Sequence, residues 1–185
     1  MAAVLAGMVL AGAYTCAAAE FRLSRVHHEA GLRLLYGKNT KDADVRLLGV
    51  LPRFGWVLVR PGSPWLGGLG VSLVLEGLLA AAQAEKDGVE LGLTPLVRLS
   101  FPLGRHAMVF VEGGAGVVGE FFDSPAVPHS FNFTPQIGGG VEAALRPTLA
   151  LVVAYRYRHS SNASLYDENP AFNLHLIQAG LNYYF

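Results

Sequence analysis

Gly88-Val89-Glu90-Leu91-Gly92-Leu93-Thr94-Pro95-Leu96-Val97-Arg98-Leu99-Ser100-Phe101 is the stretch from which the architecture is read. Every second residue (Val89, Leu91, Leu93, Pro95, Val97, Leu99 and Phe101) is apolar. Between them stand Glu90, Gly92, Thr94, Arg98 and Ser100, with Leu96 the one large apolar exception. Successive side chains of a strand point to opposite faces, so this period of two predicts a strand with one apolar side. The pattern recurs at 131–145. There Phe131, Phe133, Ile137, Val141 and Leu145 oppose Asn132, Thr134, Gln136 and Glu142. At 107–122, Val109, Val111, Val117 and Phe121 oppose Glu112 and Glu120. The run Gly113-Gly114-Ala115-Gly116 is not a dinucleotide loop, because no helical pattern follows it.

Outward from these segments, the chain from Glu20 onward divides into eight alternating pieces, near 29–37, 45–59, 66–82, 88–102, 107–122, 131–145, 149–161 and 172–185. A soluble barrel turns its apolar face inward, whereas a membrane barrel turns it outward around a polar lumen. Three features select the membrane form. Many segments exceed the ~9–11 residues that cross a bilayer at a tilt. The connections alternate, with short turns expected at Arg60–Pro64, Gly104–His106 and Arg146–Thr148. Longer polar loops are expected at Gly37–Asp44, Gln83–Gly88, Asp123–Ser130 and Asn162–Ala171. The chain also ends Leu181-Asn182-Tyr183-Tyr184-Phe185, a terminal aromatic like that of outer-membrane barrels. The expected fold is all-β: an eight-stranded antiparallel transmembrane β-barrel. Its inward charges are Arg53, Glu76, Glu90, Arg98, Glu112, Glu142, Arg156 and Arg158, which pair and fill a narrow lumen. A diffusion pore is not expected.

Composition agrees with one exported domain. The chain has 185 residues, 52% of them hydrophobic and only 15% charged, yet no apolar run beyond residue 20 is long enough for a transmembrane helix. Fourteen basic and fourteen acidic residues cancel, which argues against a nucleic-acid partner. Residues 1–19 carry no charge and end Ala17-Ala18-Ala19, which predicts a signal peptide cleaved before Glu20 and leaves 20–185 as the barrel domain. The single cysteine, Cys16, lies within that segment, and Ala13-Tyr14-Thr15 before it makes a poor lipidation motif. The mature chain would hold no disulfide.

The seventh segment carries the chemistry. In Leu149 to Ala163 the lipid-facing positions are Leu149, Leu151, Val153, Tyr155, Tyr157, His159 and Ser161. They begin apolar, reach aromatics, and end in His and Ser at the outer rim. Same-face residues of a strand lie roughly 6–7 Å apart at the backbone, so an imidazole can reach the hydroxyl. His as base and Ser as nucleophile is the minimal acyl-transfer pair. The final strand runs antiparallel to the seventh, and its outward face continues from Phe185 through Ile177 to His175 and Asn173. This allows Asn173 to lie beside His159 and orient it. His27 and His28 lack convergent partners, and no metal or organic cofactor is expected.

His159-Ser160-Ser161-Asn162-Ala163, followed by Asn169-Pro170 and a last strand, resembles the His-x-Ser-Asn-Ala signature of the lipid A 3-O-deacylases, the PagL-type family. The resemblance is specific over the last 35 or so residues. It implies an outer-membrane barrel that hydrolyses the 3-linked acyl ester of lipid A in lipopolysaccharide, among outer-membrane lipids and facing the outer leaflet. It also implies His159 as base, Ser161 as nucleophile and Asn162 as a contributor to the oxyanion site. The family has Glu where this chain has Asn173, and Gly where it has Ser164. The triad is therefore completed by Asn173 or by a loop acid, Asp167 or Glu168. The alternative reading is a non-catalytic small barrel that binds a hydrophobic ligand or stabilises the membrane. Either reading is compatible with a homodimer.

Overall fold

A computed structural model describes residues 19–39, 45–168 and 170–185. The expected signal peptide, apart from Ala19, lies outside the described residues. Eight strands follow one another: β1 (His28–Asn39), β2 (Arg46–Val59), β3 (Gly70–Gln83), β4 (Lys86–Leu103), β5 (Ala107–Asp123), β6 (Phe131–Arg146), β7 (Leu149–Ser160) and β8 (Phe172–Tyr184). Each pairs antiparallel with the next, and β8 pairs with β1 to close the barrel. Closure removes both sheet edges, so every strand's backbone is satisfied by its neighbours, as a membrane interior demands.

The alternation read from the sequence is the alternation of faces. In β4, Val89, Leu91, Leu93, Val97 and Phe101 are exposed, while Glu90, Thr94, Leu96, Arg98 and Ser100 are buried. The apolar side thus faces out, and Leu96 is an apolar filler of the lumen. The eight inward charges expected are all buried, joined by Glu29, Arg33 and Glu120. They form three tiers. Nearest the termini, Arg98 meets Glu29 at 3.0 Å and Glu142 at 2.5 Å, and Asn182 and Tyr184 donate to Glu142 at 2.7 and 2.5 Å. In the middle, Glu112 accepts from Arg33 at 2.9 Å and Arg53 at 2.7 Å. Arg156 bridges Glu76 and Glu112, and Arg53 also pairs with Glu76. Farthest from the termini, Arg158 makes a two-pronged contact with Glu90 at 2.5 and 3.0 Å. Phe110 lies between two guanidinium groups, 4.1 Å from Arg98 and 5.2 Å from Arg33.

Apolar side chains cap these tiers at both ends. Leu35, Leu47, Leu51, Phe122, Leu174 and Leu176 pack beneath the loops. At the other end, the segment before β1 folds across the mouth. There Phe21 N–H donates to Arg105 O at 2.8 Å, and Leu23 and Val26 pack on Met108, Ala150 and Tyr184. A void of about 10 Å³ among Glu76, Thr94, Thr134, Gln136 and Arg156 holds no more than about one water. The lumen is a core, not a channel.

Two connections differ from expectation. The segment expected as a strand from residue 66 begins at Gly70, and the short turn expected at Arg60–Pro64 is a longer excursion. Pro64–Leu66 form a single 3₁₀ turn. Ser63 accepts from Trp65 N–H, and Gly67 and Gly68 close the turn at φ of +61° and +94°. Leu66 and Leu69 continue the apolar pattern of β3, which hid how far the turn extends. At the opposite end, the loop expected at Gln83–Gly88 shrinks to Ala84 and Glu85, because Lys86 to Gly88 extend β4. The glycine run of β5 serves close strand approach: a Cβ on Gly114 would stand 2.1 Å from Pro95 O.

Candidate active site

Register places the site. β7 and β8 pair so that His159 faces Asn173, Tyr157 faces His175, and Tyr155 faces Ile177. All lie on the outer face, at the end of the barrel away from the termini. His159 Nδ1 donates to Asn173 Oδ1 at 2.8 Å. An amide oxygen can only accept, so Nδ1 carries the proton and Nε2 is left as the basic nitrogen. The orienting contact expected from the strand pattern is therefore present.

Ser161 stands on the same face, one pleat beyond His159. It follows the last residue of β7 and is held by a single further bridge to Phe133 of β6. Phe133 N–H donates to Ser161 O at 2.8 Å, and Ser161 N–H to Phe133 O at 3.1 Å. The serine thus sits on rigid backbone where the strand ends. His159, Ser161 and Asn173 are half-buried, whereas the outward residues beneath them, Tyr155, Tyr157 and His175, are exposed. Tyr155 is hydrogen-bonded to His175 and stacks on it, and Tyr157 meets the same ring edge-on. The sequence set Tyr155, Tyr157 and His175 on this outward face, and the structure adds that the three rings pack on one another as an aromatic floor. The register that lets Asn173 lie beside His159 also sets His175 opposite Tyr157.

Asn162 points the other way and is buried. Its Nδ2 donates to Glu168 O at 2.7 Å, and its Oδ1 accepts from Ser164 N–H at 2.9 Å. Leu165 N–H donates to Asn162 O at 3.1 Å, and between them Ala163 and Ser164 adopt φ of +52° and +64°. Two successive left-handed residues are the mark of a tight turn that favours glycine. This accounts for Gly at the Ser164 position in the signature. Both ends of the Asn162 side chain thus bond loop backbone, and the side chain shapes the turn after the serine. Asp167 and Glu168 are exposed in that loop. His129 of the β5–β6 connection stacks on Tyr166 at 4.1 Å and fastens one loop to the other. His28, at the opposite rim, stacks between Phe54 and Phe185.

A closed eight-stranded barrel with an apolar exterior and a paired-charge core defines a class: a membrane-embedded β-barrel, here with His159 and Ser161 one pleat apart on the outer face of one rim. The family model for lipid A 3-O-deacylase (PagL) matches residues 49–182, so the chain belongs to that family. No curated protein matches it significantly. Among solved structures, the crystal structure of the outer membrane enzyme PagL superposes with a TM-score of 0.60 at 19% identity, over 82% of this chain and 98% of that one. Neisserial surface protein A (NspA) gives 0.53 at 12% identity, over 86% and 96%. Ail, the attachment invasion locus protein of Yersinia pestis, gives 0.50 at 14% identity, over 86% and 97%. At these identities the superpositions speak for the fold. Family and fold together place the chain among bacterial outer-membrane barrels.

Proposed function

We propose that this protein is an esterase of the outer leaflet that removes the 3-linked acyl chain of lipid A. The observation that carries the reading is the His159–Asn173 hydrogen bond in strand register, one pleat from Ser161, on the face that meets lipid. Ser161 Oγ attacks the ester carbonyl while His159 Nε2 takes its proton. The sugar 3-oxygen then leaves, recovers that proton from His159, and an acyl-serine remains. Water attacks the acyl-serine with His159 again as base, releasing the fatty acid and restoring Ser161. Asn173 holds the imidazole in the tautomer this requires, and Asn162 fixes the turn behind the serine.

The orientation follows from the same reading. The termini and the 3₁₀ turn lie on the periplasmic side, and the connections after β1, β3, β5 and β7 lie outside. The scissile ester lies below the sugar of its own lipid, at the depth where the aromatic floor ends. The exposed Asp167 and Glu168 are not needed as the third member, because Nδ1 is already engaged by Asn173.

The test is release of the 3-linked fatty acid from lipid A in detergent micelles by purified protein. His159→Ala and Ser161→Ala should each abolish release, and the double variant should be no worse than either, since the two act as a unit. Full activity in the Ser161→Ala variant sinks the mechanism.

A further inference from the structure

The outer face beside the site carries two cations that the hydrolytic scheme does not use. Lys38 of β1 pairs in register with His175 of β8 on one side and with Arg46 of β2 on the other. Both side chains are exposed and share the outward face with Tyr36 and Leu48. Lys38 has no ion pair among the described residues. Across the described parts of β6, β7, β8, β1 and β2, the outer face carries no exposed carboxylate. Lys86, on the far side of the barrel, differs from Lys38 in being matched to an acid, Asp123, at 2.6 Å.

The ladder brings these cations to the height of the catalytic pair. Partner by partner, Leu149 at the terminal edge of β7 leads through Tyr183, Ala30, Phe54 and Leu75 to Pro95, far along β4. Crossing from β7 toward β2 therefore climbs toward the loop end. The row that starts at Tyr157 climbs in the same way through His175 and Lys38 to Arg46. Lys38 is two strands across and two residues along from His159, roughly 12 Å at the backbone from strand spacing and rise. A lysine side chain covers a good part of that gap. A cation held at the lipid rim, with its stem on apolar surface and its head at the interface, is placed to meet a lipid anion.

We infer that Lys38 and Arg46 form a phosphate subsite. They hold a phosphate on the sugar of the substrate while its 3-linked ester lies at Ser161. This rests on the esterase reading for the identity of the substrate, and binding can be tested apart from hydrolysis. The subsite selects for an anionic glycolipid over a neutral one and fixes which acyl chain reaches the serine.

The experiment uses the full barrel in neutral detergent, with Ser161→Ala to prevent turnover. Binding of bisphosphorylated lipid A is compared with binding of chemically dephosphorylated lipid A, before and after adding Lys38→Glu and Arg46→Glu. The parent should prefer the phosphorylated lipid. Each charge reversal should weaken that preference by more than about fivefold, the strength of one Lys or Arg against an anionic surface. A shift in gel mobility on boiling checks that the charge-reversed barrel is folded, and single Lys38→Gln replaces it if it is not. Equal binding of both lipids by the parent overturns the subsite, as does a preference that survives charge reversal. Displacement by phosphatidylglycerol as effective as by phosphorylated lipid A overturns its assignment to the substrate's own phosphate. Failure of wild-type protein to release fatty acid would instead count against the esterase reading.

Discussion

At His159 the chemistry turns on which nitrogen carries the proton. Asn173 Oδ1 accepts from Nδ1 at 2.8 Å, which leaves Nε2 as the basic nitrogen, the one that serves Ser161 in the proposed reaction. An amide supplies orientation without the charge that would stabilise the imidazolium. Asn173→Ala should lower turnover within the roughly 10²–10⁴-fold that a positioned base contributes. Asn173→Glu should stay active and turn over faster than wild type, because a charge-assisted hydrogen bond is about twice as strong as a neutral one. Glu168→Gln should change little. Fatty-acid release by the three variants checks the set, and loss of activity in Glu168→Gln with an indifferent Asn173→Ala moves the third role into the loop. Five residues on from His159, Ser164 holds φ of +64°. A left-handed conformation costs a non-glycine residue about 1–2 kcal/mol, partly offset by glycine's greater freedom when unfolded. Ser164→Gly should therefore stabilise the barrel by roughly 0.5–1 kcal/mol. A lower unfolding midpoint in urea would count against that geometry.

Among the strands, the lumen network fixes how they meet. Glu112 of β5 is the acceptor shared by Arg33 of β1, Arg53 of β2 and Arg156 of β7. Glu112→Gln leaves three buried guanidinium groups short of a counter-charge, and breaking such a network costs about 3–5 kcal/mol. The variant should lose its compact, unboiled gel form at a lower temperature than wild type; unchanged heat resistance would mean that the network contributes little. Much of this layer was legible in the sequence. Lipid outside and charge inside impose opposite chemistry on alternate residues, so β4 declares its faces and its lumen charges together. The Ser161, His159 and Asn173 positions followed from the same alternation, carried to the ends of β7 and β8. What stayed hidden was whatever breaks the period of two. Leu66 to Leu69 read as strand but complete a turn, and Leu34-Leu35-Tyr36 is apolar on both faces, which obscures that Arg33 and Leu35 point inward. Lys38 and Arg46 sit at strand ends, and only the register of β8, β1 and β2 sets them beside the site.

As a whole, the molecule is a barrel with an apolar jacket, a core of paired charge and the candidate site at one rim. Aromatic side chains mark both interfaces: Phe54, Trp56, Tyr183 and Phe185 at the terminal end, and Tyr36, Phe131, Tyr155 and Tyr157 at the other. Such a barrel should fractionate with outer membranes and migrate differently on gels before and after boiling. Recovery as a soluble periplasmic protein would contradict the membrane assignment. The central claim, that Ser161 and His159 deacylate a lipid on the barrel's outer face, is tested most directly by mass spectrometry of lipid A. The lipid is taken from cells that express wild-type protein, the Ser161→Ala variant, or neither. The account predicts that wild-type protein alone yields lipid A lighter by one 3-linked acyl chain, with the Ser161→Ala barrel present in the membrane in equal amount. Lipid A of unchanged mass in the wild-type cells, or the same loss produced by the Ser161→Ala variant, would contradict it.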